Sequence, residues 1–179
     1  MTQSRSDLEA DSWAFALRLY ARPGVADACL KLQDEAGVDV MMSLMIVFAA
    51  AKHCVLLKPL EIREFDDACR PWREQIVHPL RAIRTRLKSG PSPAPGSATE
   101  PFRSTIKAAE LAAERLQNQL LAERLPLRAR DRETVGVDDL RSVIRSAVTL
   151  ALEKRPGKRL SDLLSAIDLI VGAAMQDKR

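Results

Sequence analysis

Aromatic side chains are scarce in this sequence: two Trp, one Tyr and four Phe make up 4% of its 179 residues. With so little ring area, a core must be filled by Leu, Ala, Val, Ile and Met. Ala and the unbranched side chains lose little rotamer freedom in a helix, so the same scarcity favours helices. Cysteine is sparse as well. Cys29, Cys54 and Cys69 form an odd set without CxxC spacing, which argues against a disulfide framework and for a reducing compartment. Glycine builds no phosphate loop and no Gly-x-Ser-x-Gly elbow. The two histidines, His53 and His78, occur in no Glu-x-x-His pair, which excludes the ligand set of carboxylate-bridged di-iron bundles. No residue constellation commits the chain to a reaction, and whether it is an enzyme is left open.

Charge of one sign is also missing. The chain has 28 basic and 24 acidic residues, a net charge of +4, which by itself does not indicate nucleic acid. Met1 to Asp11 is polar and contains acidic residues but no apolar signal core, so export is disfavoured and a cytoplasmic location is expected. Val40 to Leu57 is the longest apolar stretch. Lys52 and His53 would each be expensive near a bilayer centre, so a buried central helix is expected rather than a membrane span.

What is present is helical periodicity, and no strand pattern competes with it. The expected fold is all-α: a compact bundle of seven to eight helices ending in a helical hairpin. An N-terminal bundle covers 6–88. Its first helix carries Trp13, Leu17 and Tyr20 at helical spacing, widened by Phe15 and Leu19. Pro23 opens a second helix with Val25, Cys29 and Leu32 on one face, and Gly37 stops it. Asp39 caps the central helix. After Pro59, Ile62, Phe65 and Cys69 mark a stripe, with Arg63, Asp66, Asp67 and Arg70 mostly outside it. A fifth helix follows Pro71 along Trp72, Ile76, Leu80, Ile83 and Leu87, bent near Gln75 by Pro79.

Residues 89–101, rich in Pro, Ser and Gly, form a linker. In 102–123, Phe102, Ile106, Ala109, Ala113, Leu116 and Leu120 step by four and three. This heptad seam is too short for a free coiled coil, so it should dock on the bundle or on a partner helix. Leu125 to Val137 reads as a charged loop. Residues 138–176 form the hairpin: Asp138 or Asp139 caps a helix carrying Leu140, Ile144, Ala147 and Ala151, and the last helix carries Leu163, Leu164, Ile167, Ile170, Val171 and Ala174.

The run Trp13-Ala14-Phe15-Ala16-Leu17-Arg18-Leu19-Tyr20, with Pro23-Gly24-Val25, Cys29-Leu30, Leu32-Gln33-Asp34 and Gly37-Val38-Asp39-Val40, resembles the opening of a small bacterial family of uncharacterised helical proteins. The likeness continues through Arg70-Pro71-Trp72-Arg73, Pro79-Leu80-Arg81 and Ala109-Glu110-Leu111-Ala112-Ala113-Glu114-Arg115, and ends near Leu121. The resemblance implies a compact all-helical fold in the bacterial cytoplasm and transfers no catalytic residues.

Asp34 stands out because it falls in the last turn of the second helix, where the helix dipole disfavours a carboxylate by about 0.3–1 kcal/mol. An ion pair with Arg22, Arg70 or Arg73 would explain it. The other reading makes it part of a small pocket with Trp13, Tyr20 and Trp72, whose polar tips suit a rim. His53, Cys54, Cys69 and His78 suit zinc chemically but not by spacing, since adjacent His53 and Cys54 point about 100° apart on a helix. No metal and no cofactor are assigned. Arg124, Arg128, Arg130 and Arg132 form a cluster that could contact phosphates, but no aromatic residue lies nearby for base stacking, so nucleic acid is disfavoured.

The function expected from this pattern is a helical protein–protein interaction or regulatory module, self-association included. Amphipathic helix beyond the linker must cover its apolar seam with something. The competing expectations are a small-molecule or cofactor-binding bundle, possibly catalytic, and a nucleic-acid-associated regulator.

Overall fold

The computed structural model describes residues 4–126 and 128–177; Met1–Gln3, Leu127, Lys178 and Arg179 lie outside it. Eight α-helices follow in order: α1 Arg5–Tyr20, α2 Val25–Ala36, α3 Val40–His53, α4 Pro59–Trp72, α5 His78–Arg86, α6 Glu100–Arg124, α7 Val137–Leu152 and α8 Leu164–Gln176. A π turn, Arg73–Val77, joins α4 to α5 without a break, and a 3-10 turn, Leu160–Leu163, leads into α8. There is no strand among the described residues, and the chain ends in the expected α7–α8 hairpin.

Helix α3 is the axis of the fold. Asp39 accepts a hydrogen bond from the Met42 amide (3.0 Å) and so caps it, and every residue from Met41 to Ala51 is buried. A helix apolar on all sides must be surrounded, and α1, α2, α4, α6, α7 and α8 all pack on it. It stops at Cys54, held in the left-handed region at φ 55°, where the Cys54 and Val55 amides donate back to Ala50 and Ala49.

The hairpin shares this core. Leu140, Ile144 and Ala147 of α7 and Ile167, Ile170, Val171 and Ala174 of α8 belong to the same cluster of buried side chains as Leu8, Phe15, Leu32 and Phe48. Asp177, just past α8, is paired with Arg18 (3.2 Å), Arg22 (3.7 Å) and Lys52 (3.4 Å). The apolar faces of α7 and α8 are therefore mostly covered within the chain, although Leu164, expected in the buried stripe, and Leu169 are exposed.

Several expectations are corrected. On α1 the buried side is Leu8, Ser12, Phe15, Ala16 and Leu19, while Leu17 and Tyr20 are exposed and Trp13 is half-buried. Helix α4 runs through Pro71, and the adjustment falls in the π turn. There the His78 amide bonds to the Arg73 carbonyl, the wider turn giving the Pro79 ring room it would not have against a regular α turn. Asp66 is buried, not outside its stripe. Neither Asp138 nor Asp139 is the cap of α7: the helix begins at Val137 after Gly136, and Asp139, inside its first turn, accepts from the Gly136 amide (2.9 Å). The largest correction concerns α6. Its buried side is Glu110, Ala113, Gln117, Asn118, Leu121 and Ala122, while Phe102, Ala109 and Leu116 of the heptad seam face outward.

Gly37 closes α2 at φ 74°, and a Cβ there would meet the Arg155 guanidinium at 3.1–3.2 Å. Gly37→Ala is expected to cost about 1–2 kcal/mol and to lower Tm by several degrees. Gly172→Ala, inside α8 with nothing within 4 Å, should instead stabilise by roughly 0.5–1 kcal/mol. Paired thermal melts check both signs.

Candidate functional site

The polar side of α6 docks through a buried ionic cluster. Arg73, at the start of the π turn, donates to Asp39 Oδ2 (2.8 Å) and pairs with Asp66 Oδ1 (2.9 Å), joining the cap of α3 to the middle of α4. Gln117 of α6 adds its amide to Asp39 Oδ2 (2.5 Å). Asp66 Oδ2 also takes Arg70 (2.6 Å) and Lys154 beyond α7 (3.3 Å). Asn118 donates to the Glu9 carbonyl and meets Ser12, which ties α6 to α1. Further along, Arg81 binds Glu110 (2.8 Å) and Glu114 (2.6 Å), and Arg84 grips the other oxygen of Glu110.

Charges this deep survive only when paired. Burial works against the ionised form of Asp66, but the hydrogen bond from Arg70 and the Arg73 charge outweigh it and hold the carboxyl below its ordinary 3.8. At Glu110, burial is again overcome by Arg84 and Arg81, which keep it below 4.5. Glu114 goes the other way, because burial dominates. Burial, then Asp39, raises the Cys69 thiol, and burial pushes Cys29 up to about 12. Neither cysteine is a thiolate nucleophile, and the carboxylates are occupied by fixed partners. The chemistry of this cluster is that of a clamp.

Between the C-terminal ends of α2 and α7 and the flank of α5 lie two adjoining depressions of about 670 Å³ and 240 Å³, both lined by Gly37, His78 and Arg155. Asp34 lines the larger one, and neither is lined by Trp13, Tyr20 or Trp72. Asp34 has no ion-pair partner among the described residues. Trp13 lies half-buried on the core, Tyr20 is exposed at the end of α1, and the Trp72 indole donates to the Ala113 carbonyl (3.0 Å). Burial first, then Arg73 and Arg81, lower the pKa of His78.

His53 packs edge-on against Phe48, with ring centroids 5.0 Å apart, and Cys69 is buried beside Asp39. No group of three or more His, Cys, Asp or Glu among the described residues is placed to hold a metal ion. In the arginine cluster, Arg128 is bound to Glu61, Asp131 (3.0 Å) and the Leu56 carbonyl (3.0 Å), and Arg132 pairs with Asp139 (3.3 Å). Arg124 and Arg130 are exposed, with no ion pair among the described residues. The loop that looked merely charged thus pins the start of α4.

Because α6 turns its polar side inward, its seam emerges elsewhere. The bonds from Arg81 and Arg84 back to Glu114 and Glu110 show that α5 and α6 run antiparallel. At 100° per residue, Ile76, Leu80, Ile83 and Leu87 lie about 80° round from the side of α5 that meets α6. Phe102, Ile106, Ala109 and Leu116 lie about 80° round from the side of α6 that meets α5, while Ala113 of the same seam is buried and Leu120 packs against the core. The two rotations have the same sense along each chain direction, so in an antiparallel pair both stripes emerge on one side. Phe102 (54% exposed), Leu116 (53%), Ile83 (45%) and Ile76 (38%) are its open members. Sequence periodicity found every one of these residues; only the side they face was missed.

The clamp makes stability acid-sensitive. The folded-state pKa values of Glu61, Asp66, Glu110 and Asp177 are depressed, so their contribution is complete above the ordinary carboxylate values of 3.8 to 4.5 and is lost as pH falls below them. Glu114, raised, has the opposite slope but is one group against four. Tm is expected to begin falling below about pH 6.5, where the lowered pKa values of His53 and His78 make protonation favour the unfolded chain, and to fall more steeply below about pH 4.5. Asp66→Asn should lower Tm at neutral pH and flatten that fall, as followed by melts across the range.

Neither the curated proteins nor the solved structures yield a match to this chain. A family model described as "Protein of unknown function (DUF2390)" matches residues 11–121. That span contains α2 to α5, most of α1 and α6, and Asp39, Asp66, Arg73, Glu110 and Gln117 of the clamp. It stops before α7 and α8. Matched over more than half its length, the chain belongs to this family of proteins of unknown function.

Proposed function

We propose that the protein is a helical interaction module that binds another protein chain through the outward face of α5 and α6. The observation that carries this reading is the uncovered double stripe around Ile76, Ile83, Phe102 and Leu116. The α7–α8 hairpin lends it no support, because its apolar faces are mostly spent in the common core. The α6 stripe from Phe102 to Leu116 runs about 21 Å and the α5 stripe from Ile76 to Leu87 about 16 Å, each about one helix diameter wide, an area on the order of 400 Å² that lies within the range of the largest apolar patches on monomeric proteins. No helix among the described residues is long and apolar enough to cross a membrane.

Benzoylphenylalanine placed at Ile83 or Leu116 in the cells that make the protein is expected to give photo-adducts of defined mass, while the same probe at exposed Arg145 of α7 gives none. Absence of adducts from both face positions would overturn the reading.

A second reading has its own support. Asp34, Glu74, Arg86 and Arg155 line the depressions beside Gly37 with no ion-pair partner among the described residues, an arrangement suited to a small ligand bearing both charges. A thermal upshift with such a ligand, abolished in Arg155→Ala, is the expected outcome. A panel of zwitterionic and anionic metabolites that shifts wild type and variant equally would remove it.

A further inference from the structure

We infer that the smaller depression, about 240 Å³, takes a free α-amino acid with a short apolar side chain, its ammonium on Glu74 and its carboxylate on Arg155. The inference rests on the second reading above, a ligand site beside Gly37, and gives that ligand its class.

Charge argues first. Of the titratable side chains that line this depression, most already have partners. Arg73 is held between Asp39 and Asp66, and Lys154 pairs with Asp66 (3.3 Å). His78, its pKa lowered chiefly by burial, is uncharged at neutrality. That leaves Glu74 and Arg155, one carboxylate and one guanidinium with no ion-pair partner among the described residues. Asp34 and Arg86 line only the larger depression. A single free charge of each sign selects a ligand with one ammonium and one carboxylate. It leaves no counter-charge for a third ionised group, which would be costly to desolvate unpaired.

Position agrees. A Cβ on residue 37 would lie 3.1–3.2 Å from the Arg155 guanidinium, so the bare backbone of Gly37 lets that group settle at the end of α2, where it lines both depressions. Glu74 is held in the π turn that carries Arg73 into the clamp. The last turns of α2 and α7 both border the smaller depression, through Ala36 and Leu150, and the negative ends of two helix dipoles favour an ammonium there.

Size and lining set the side chain. At about 30 Å³ per water the depression holds about eight waters, and so a ligand of about that many non-hydrogen atoms. Its uncharged wall is Ala36, Met42, Ala147, Leu150 and Ala151, which offers the third substituent of the ligand only apolar surface. Valine and leucine meet both conditions. Aromatic amino acids are too large, and acidic or basic ones bring a charge that nothing free can answer.

Calorimetric titration of the full chain with L-valine and L-leucine tests this, beside 4-methylpentanoate, which is leucine without its ammonium, and leucine amide, which lacks the carboxylate. Dissociation constants between about 10 μM and 1 mM are expected for the two amino acids. Each one-charged analogue should bind at least about tenfold more weakly. Glu74→Gln should weaken L-leucine about tenfold and leave 4-methylpentanoate unchanged, whereas Arg155→Gln should weaken L-leucine and leave leucine amide unchanged. Both side chains belong to exposed residues, so circular dichroism and Tm without ligand should not move. Failure of both amino acids to bind at about 10 mM, or equal binding to wild type and both variants, overturns the inference. The two readings fail separately. If the wider panel yields another two-charged ligand that is lost in Arg155→Ala, only the amino-acid class falls; if it yields none, both fall.

Discussion

Arg73 bridging Asp39 and Asp66 is the interaction on which the rest of the structure depends. Asp39 starts the central helix, Asp66 sits midway along α4, and Gln117 brings α6 to the same oxygen of Asp39. Breaking a buried pair from one side leaves an uncompensated charge in a low-dielectric interior, at a cost of about 3–5 kcal/mol, comparable to much of a domain's net stability. Three elements far apart in sequence are therefore held in one relative register. The π turn belongs to the same solution: Arg73 begins it, and it absorbs the misfit of Pro79 while keeping the guanidinium aimed inward.

The rotation of α6 follows. A helix with an apolar stripe and a polar stripe normally buries the apolar one. Here Glu110, Gln117 and Asn118 each find fixed partners inside, on Arg81 and Arg84, Asp39 and Ser12, and so the polar stripe is buried without orphaned groups. The apolar stripe is left facing out beside that of α5. Interior electrostatics thus produce the exterior hydrophobic face, and the fold and the proposed interaction share one cause.

The family match ends where α6 ends, yet α7 and α8 complete the core around α3 and send Lys154 to the clamp. The matched portion carries the clamp and the outward face. The hairpin closes the opposite side.

Much of this was legible in the residues. The unbroken apolar run of α3, the cap at Asp39, the stop at Gly37 and the stripes of α7 and α8 follow from local rules: capping, backbone freedom and period. The direction each amphipathic helix faces was not legible wherever two stripes competed. Trp13, Leu17 and Tyr20 on α1, and Phe102, Ala109 and Leu116 on α6, obey helical spacing as well as the residues that are buried instead. Periodicity locates a stripe without saying whether it meets the core, and partners for Glu110, Gln117 and Asp66 lie tens of residues away. The sequence alone determined an all-helical chain and most of its rod ends, the junction of α4 with α5 and the start of α7 excepted, because those depend on neighbours within a few residues. Only the tertiary structure decided which stripe faces inward, because that depends on distant charges neutralising one another.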